Sequence, residues 1–232
     1  GDDESTGIGK ERQCVDFAPI VFKYIRNYIL GVDDKSYNSS VIPKDKYAQR
    51  NVLDAKYGEG KSGAFFYFTH DSRYLVKTIK KFEVEVMLNT LREYVTYLDD
   101  NPNTILSRVV GLHSIRLYGL TKYFVVTENV FLSELRPSEV YDLKGSWVAR
   151  YTKYNIESGK TLKDGDLKRF IVLNRGSREQ LINQLNADSD FLAKCQIMDY
   201  SLLLGVYHLK MAPGSKKPGG GGGAGKQDEE KY

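Results

Sequence analysis

"YGEGKSGAFFYF" occupies residues 57–68, and its reading decides the fold. Within it, Gly58-Glu59-Gly60-Lys61-Ser62-Gly63 spells G-x-G-x-x-G, and Gly60-Lys61-Ser62 resembles the end of a P-loop. Both patterns cradle phosphates, but on different folds. A P-loop needs Gly five residues before Gly60, where this chain has Ala55. It also needs a helix after Lys-Ser, whereas "GAFFYF" has the aromatic composition of a strand. A dinucleotide fingerprint fails for want of the same helix. The polar turn "THDS" comes next, and then "RYLVKTI", so the stretch opens a β-hairpin.

Working outward, Val84, Met87, Leu88, Leu91, Tyr94, Val95 and Leu98 recur at helical spacing and predict one amphipathic helix, ended by "DDNPN". Strands are expected at about 108–118 and 123–130, joined through Gly119–Lys122. Upstream, Asp16 is a candidate cap for a helix carrying Phe17, Ile20, Val21, Tyr24, Ile25 and Tyr28, and residues 31–51 read as loop. Downstream, "VYDLKGSWVARYT" and "LKRFIVL" look extended. Ser177–Gln180 is a capping-box signature opening a helix to about Cys195, and "SLLLGVYHL" reads as a buried strand. This order predicts an α+β fold built on an antiparallel sheet with flanking helices. Residues 1–12 read as a disordered N-terminus, 13–211 as the folded core and 212–232 as a Gly-rich linker or tail.

Bulk properties narrow the function classes. The 232 residues are 41% hydrophobic and 28% charged, with net charge +4. Residues 1–12 contribute −2 and residues 213–232 contribute +1, leaving a mild basic bias of +5 between them. That bias suits an anionic partner and suits an ordinary solvated surface equally well. Cys14 and Cys195 stand far apart without a C-x-x-C or a His cluster, which argues against a disulfide framework or a structural zinc and for a reducing cytosol. No apolar run approaches the ~20 residues of a membrane span.

A glycine loop between antiparallel strands is the protein-kinase arrangement, in which loop amides donate to nucleotide phosphates. Kinases carry a Lys on the following strand and a Glu on the next helix. Here Lys77 lies 14 residues after Gly63, and Glu83 and Glu85 open the predicted helix. Further on, "YDLKGS" sets an acid and a Lys beside a flexible Gly-Ser, and "MDYSLLLG" places Asp199 between a helix and an apolar strand. A carboxylate so held suits a general base.

Together, "GKSGAFFYFTHDSRYLVKTI", "YDLKGS" and "IMDYSLLLG" closely resemble the phosphatidylinositol phosphate kinases, lipid kinases distantly related to protein kinases. "NTILSRVVGLHSI" and "FVVTENV" extend the likeness, which runs from about Tyr47 to Leu209. The resemblance implies a protein-kinase-like two-lobe fold and ATP-dependent transfer of a phosphoryl group to an inositol hydroxyl of a phosphatidylinositol monophosphate, giving a bisphosphate. It implies that Gly60, Lys61, Ser62, Gly63 and Ala64 cover the ATP phosphates and that Lys77 contacts them. Glu85 becomes the expected partner of Lys77, Asn129 and Val130 the adenine-side hinge, Lys144 a residue near the transferred phosphate, and Asp199 the catalytic-loop Asp. ATP and Mg2+ are the implied cofactors. An anionic membrane surface is the implied peripheral site, on the cytosolic face of a membrane such as the plasma membrane. Nucleic acid is not an expected partner; a homodimer is compatible with the resemblance.

Two departures stand out. Trp147 follows Ser146 where the family usually has Thr, and no role in the chemistry is assigned to it. The family's later Ile-Ile-Asp, whose Asp binds magnesium, and its Lys-bearing activation loop are not found after Leu209, so the metal ligand is unknown and the chain reads as the first part of a longer kinase. That departure is the warrant for an alternative, a catalytically inactive ATP- or phosphoinositide-binding scaffold of the same fold. A protein kinase is disfavoured because H-R-D, D-F-G and A-P-E are missing from the sequence.

Overall fold

The computed structural model describes residues 13–42, 58–59, 65–117, 119–131, 135–152 and 160–208. The expected glycine loop at 60–64 and both terminal segments lie outside them.

Six strands form one antiparallel sheet in the order β1-β5-β6-β4-β3-β2. They are β1 (Gln13–Asp16), β2 (Gly58–Glu59), β3 (Phe65–Phe68), β4 (Tyr74–Ile79), β5 (Val109–Leu117) and β6 (Leu120–Glu128). The expected β3–β4 hairpin is present, with Tyr67 opposite Val76 and Phe66 opposite Lys77. The β5–β6 hairpin turns more tightly than its polar tip suggests, pairing Leu117 with Leu120.

Each face of the sheet has its own core. Helix α1 (Pro19–Tyr24), continued by a π-turn at Ile25–Ile29, packs with α3 (Lys81–Asn89) and α4 (Leu91–Asp100) over Leu112 and Val125. Helix α2 (Asp34–Val41) covers the other face through Tyr37, against Tyr74, Val76, Val110 and Val126. Strand residues two apart normally share a face. Val110 and Leu112 nevertheless pack into opposite cores, because a bulge between Val109 and Gly111 shifts the register and reverses the alternation. The bulge needs its glycine: a Cβ at Gly111 would lie 2.3 Å from the Tyr37 hydroxyl.

Several local expectations are corrected. The stretch 31–51 is not all loop, since the Asp33 carboxylate caps α2 by accepting from Ser36 N at 2.9 Å. With only Tyr37 and Ser40 buried, α2 has no apolar stripe to read. Asp16 does not cap a helix; it ends β1, and its carboxylate meets His113 Nδ1 at 2.7 Å. The cap position of α1 falls to Ala18, followed by Pro19. The single predicted helix over 84–98 is divided at Thr90, whose hydroxyl donates to Val86 O at 3.0 Å. Such back-bonding bends helices.

A second sheet, order β8-β7-β9, holds β7 (Glu139–Leu143), β8 (Leu162–Lys163) and β9 (Leu202–Val206). Here β7 and β8 are parallel, and β7 and β9 antiparallel. The extended reading of "LKRFIVL" is not met: residues 167–173 form no strand, and Arg169 pairs with Glu139 at 2.6 Å. Helix α5 (Arg175–Lys194) begins two residues before Ser177, because Asn174 is the cap and accepts from Ser177 N at 2.9 Å. Strand β9 is an edge strand with Leu202 and Leu203 exposed, not a buried one.

Helix α5, which precedes β9 in the chain, packs on α4. The Phe191 ring stacks on Tyr97 of α4 at 4.2 Å. Buried Asp188 accepts hydrogen bonds from the Tyr97 hydroxyl (2.5 Å), the Thr104 hydroxyl (2.7 Å), Ile105 N (2.9 Å) and the Gln184 amide (2.8 Å).

Candidate active site

Alternation along β4 puts Lys77 on the same face as Ile79, which packs into the core under α3. Its Nζ is thus on the side from which α3 offers its carboxylates, but it joins neither. Glu83 accepts from Lys80 N at 2.7 Å and caps α3. Glu85 pairs with Lys81 at 3.8 Å, one turn back on the same helix. Among the described residues Lys77 has no ion-pair partner.

At the end of β6, Asn129 ties two strands together: its N–H donates to Arg73 O and its side-chain amide to Ser72 O, both at 2.8 Å. Its Oδ1 accepts from Phe131 N at 3.1 Å. Between these anchors, Val130 is half exposed, and its main-chain N–H and C=O make no hydrogen bond among the described residues. The Asn129 hydrogen bonds thus flank a main-chain donor and acceptor that are unengaged among the described residues.

Lys144 and Asp199, 55 residues apart in sequence, meet at the end of the second sheet in a direct Nζ–Oδ1 ion pair. Two supports bring them together. Helix α5 ends in a Schellman motif, with Gln196 N bonded to Ala193 O at 3.0 Å and Ile197 N to Leu192 O at 2.9 Å. Gln196 (φ 55°) and Asp199 (φ 60°) both adopt the left-handed conformation, which turns the chain sharply into β9. On the other side, Lys144 N and Gly145 N both donate to Asp164 Oδ1 at 2.8 Å. Gly145 takes φ 68°, so the turn after β7 is glycine-dependent. The ammonium lowers the Asp199 carboxyl from its ordinary value through the hydrogen bond first and its charge second. Asp199 is therefore a weak base and a firm hydrogen-bond acceptor.

Sequence reasoning missed Asp164 and Arg150. Arg150 Nε donates to Asp164 Oδ2 at 2.7 Å, and its other nitrogen bonds Asp142. Burial alone would raise the Asp164 carboxyl, but Arg150 and the main-chain amides of Lys144 and Gly145 outweigh it and bring it down to about 2. "LKDGD" signals a turn, and nothing local shows that the turn reaches back to residue 144. Because this carboxyl is depressed on folding, its stabilisation is present above about pH 3.9 and lost as pH falls towards 2. We expect about 2 kcal/mol to disappear over that window. Urea titrations across pH check this: Asp164→Asn should be less stable at neutral pH and flatter below pH ~4.

Among the described residues no group of three His, Cys, Asp or Glu side chains could hold a metal ion. No helix among them is long and apolar enough to cross a membrane. Cys14 and Cys195 are both free thiols.

Comparison with known proteins places these features in context. The model of the phosphatidylinositol-4-phosphate 5-kinase family matches residues 47–231. The chain is 38% identical over 201 residues, 86% of its length, to phosphatidylinositol 4-phosphate 5-kinase 7 of Arabidopsis thaliana, covering 26% of that protein. It is 36% identical over 222 residues, 92% of its length, to phosphatidylinositol 4-phosphate 5-kinase 1 of the same plant, covering 29%. It is 34% identical over 212 residues, 84% of its length, to phosphatidylinositol 4-phosphate 5-kinase of Plasmodium falciparum, covering 12%. The chain thus spans at most about a quarter to a third of these relatives.

Proposed function

Because the chain belongs to the phosphatidylinositol-4-phosphate 5-kinase family, we propose that it carries the nucleotide-binding and catalytic-loop parts of a lipid kinase. The reaction is transfer of the ATP γ-phosphoryl group to an inositol-ring hydroxyl of a phosphatidylinositol monophosphate, giving a bisphosphate. The observation that carries this reading is the Lys144–Asp199 pair, a cation and an anion brought together from two distant motifs at one strand end.

Phosphoryl transfer passes through a loose transition state, so positioning and charge compensation matter more than strong base catalysis. A carboxylate held ionised suits that need. Asp199 accepts a hydrogen bond from the attacking hydroxyl and orients its oxygen lone pair. Lys144, at hydrogen-bond distance from Asp199, offers its charge to the phosphoryl oxygens. Lys77 contacts the phosphates beside the loop at Gly60–Ala64, and Val130 presents its main chain to the adenine. Magnesium is proposed to accompany the ATP as substrate. Among the described residues no three His, Cys, Asp or Glu side chains gather to hold it. The acceptor is a membrane lipid, so the protein works at an anionic bilayer surface on the cytosolic side.

The test is transfer of labelled phosphate from Mg-ATP to vesicles carrying each monophosphorylated phosphoinositide. It is run with this chain and with any longer natural chain that contains it. A bisphosphate product is expected, with Lys77→Met lowering the rate about a hundredfold. ATP or lipid binding without transfer in every form would overturn the enzyme in favour of a scaffold.

A further inference from the structure

The turn that carries Lys144 has a second, outward part. Its base is clamped on both sides. Lys144 N, Gly145 N and Arg150 Nε converge on Asp164, and Gly165 N donates back to Arg150 O at 2.8 Å. Two residues on, Thr152 holds Asp166 through its N–H (3.1 Å) and its hydroxyl (2.5 Å). Tyr151 lies over Gly165 so closely that a Cβ there would fall 2.3 Å from the ring. From this fixed base the tip projects into solvent, with Trp147 68% and Val148 85% exposed. Exposing a tryptophan and a valine on a rigid turn is unfavourable in water unless something covers them.

The surroundings say what kind of cover fits. The Asp199–Lys144 contact brings a second apolar turn alongside, with Met198 86% exposed and Tyr200 flanking it. Two lysines border the tip. Lys163 Nζ lies 3.5 Å from Ala149 O, and Lys168 Nζ lies 5.5 Å from the centre of the Tyr151 ring. Among the described residues each nearby acid has a partner: Asp142 and Asp164 with Arg150, Asp166 with Thr152 and the charge of Lys163, and Asp199 with Lys144. An indole and a valine between lysines match the layered chemistry of a bilayer interface, with apolar groups in the acyl region and ammonium groups at anionic headgroups.

We propose that Trp147 and Val148 insert into an anionic lipid bilayer and thereby hold the Lys144–Asp199 pair at headgroup level. The proposal rests on the lipid-kinase reading for its purpose, but not for its test. With Trp147 three residues from Lys144, the tip's insertion depth fixes the height of the catalytic pair. The anchor thus selects headgroups standing in a membrane over the same headgroup free in solution.

Trp147 is the only tryptophan of the 232 residues, so its fluorescence reports the event directly. The full chain is mixed with phosphatidylcholine vesicles with or without phosphatidylserine, and with vesicles whose acyl chains carry bromine. The expected result is a blue shift on vesicles containing phosphatidylserine and quenching by brominated chains. Val148→Asp should weaken vesicle binding about tenfold in sedimentation, with unchanged circular dichroism. An unshifted emission in the presence of anionic vesicles overturns the proposal. So does a blue shift that brominated chains fail to quench, since the indole is then covered by protein. Phosphate transfer measured in the same samples separates the two ideas. Indole burial without transfer, in this chain and in longer natural chains that contain it, keeps the anchor and removes the kinase, and transfer without indole burial does the reverse.

Discussion

Asp199→Asn is expected to lower phosphate transfer about a thousandfold while leaving the melting temperature of the protein essentially where it was. The choice of asparagine follows from the structure. Asp199 sits at φ 60°, a conformation that asparagine tolerates and alanine resists, so the turn into β9 survives. The carboxylate is 83% exposed and its pair with Lys144 is a surface pair, so removing the charge costs little folding energy. On the proposed reaction, what is lost is the anionic acceptor that orients the attacking hydroxyl. An amide can also present its N–H2 to that hydroxyl, which would turn the nucleophile the wrong way. The KM for ATP should change little, because the nucleotide contacts proposed above lie on the first sheet. A loss of tenfold or less in kcat, measured on vesicles under saturating ATP, would take Asp199 out of the reaction.

Asp188→Ala should have the largest effect on stability, about 3–5 kcal/mol, and lower the melting temperature by about 10 °C or more. Asp188 is 4% exposed and accepts from four donors on two helices and a loop. Its loss strands the Tyr97 hydroxyl, the Thr104 hydroxyl and the Ile105 amide in a site from which water is excluded. The Tyr97 hydroxyl is already pushed above its ordinary value, by burial first and by Asp188 second, so it remains a donor in need of an acceptor. Asp188→Asn keeps the oxygen and should cost less than half as much. Thermal melts followed by circular dichroism distinguish the two, and a change under about 1 kcal/mol for the alanine variant would remove Asp188 as the link between α5 and α4.

The sequence was most informative where one physical rule dominates. Strand composition and turn chemistry predicted the β3–β4 hairpin with Lys77 on its second strand, and the structure sets Lys77 opposite Phe66. Helical spacing found the core face of α3 and α4 but not the break at Thr90, because a side chain bonding to its own helix leaves the apolar spacing intact. Helix α2 was invisible for the opposite reason, having a cap and one buried tyrosine but no stripe. For the site, the motifs named Lys144 and Asp199, and the structure pairs them. Glu85 was expected opposite Lys77, and instead it pairs with Lys81. The choice between those lysines depends on how α3 sits over the sheet, which spacing alone does not encode. Asp164 was missed because it is held by the main-chain amides of Lys144 and Gly145, and Arg150 because it pairs with Asp164 fourteen residues on. A sequence motif does not announce such contacts.

The separation of 55 residues between Lys144 and Asp199 has a consequence for how the molecule matures. The β3–β4 and β5–β6 hairpins close short loops and can form early. The β7–β9 pairing joins Leu143 to Leu202 and must wait until the intervening chain, with all of α5, has found its place. The ion pair therefore needs a longer loop closure than either hairpin, as do the β1–β5 pairing and the Asp188 contacts, which span still more of the chain. A chain with α5 undocked would keep its first sheet while lacking the pair altogether, so a probe specific for the closed pair would report whether the second sheet is complete.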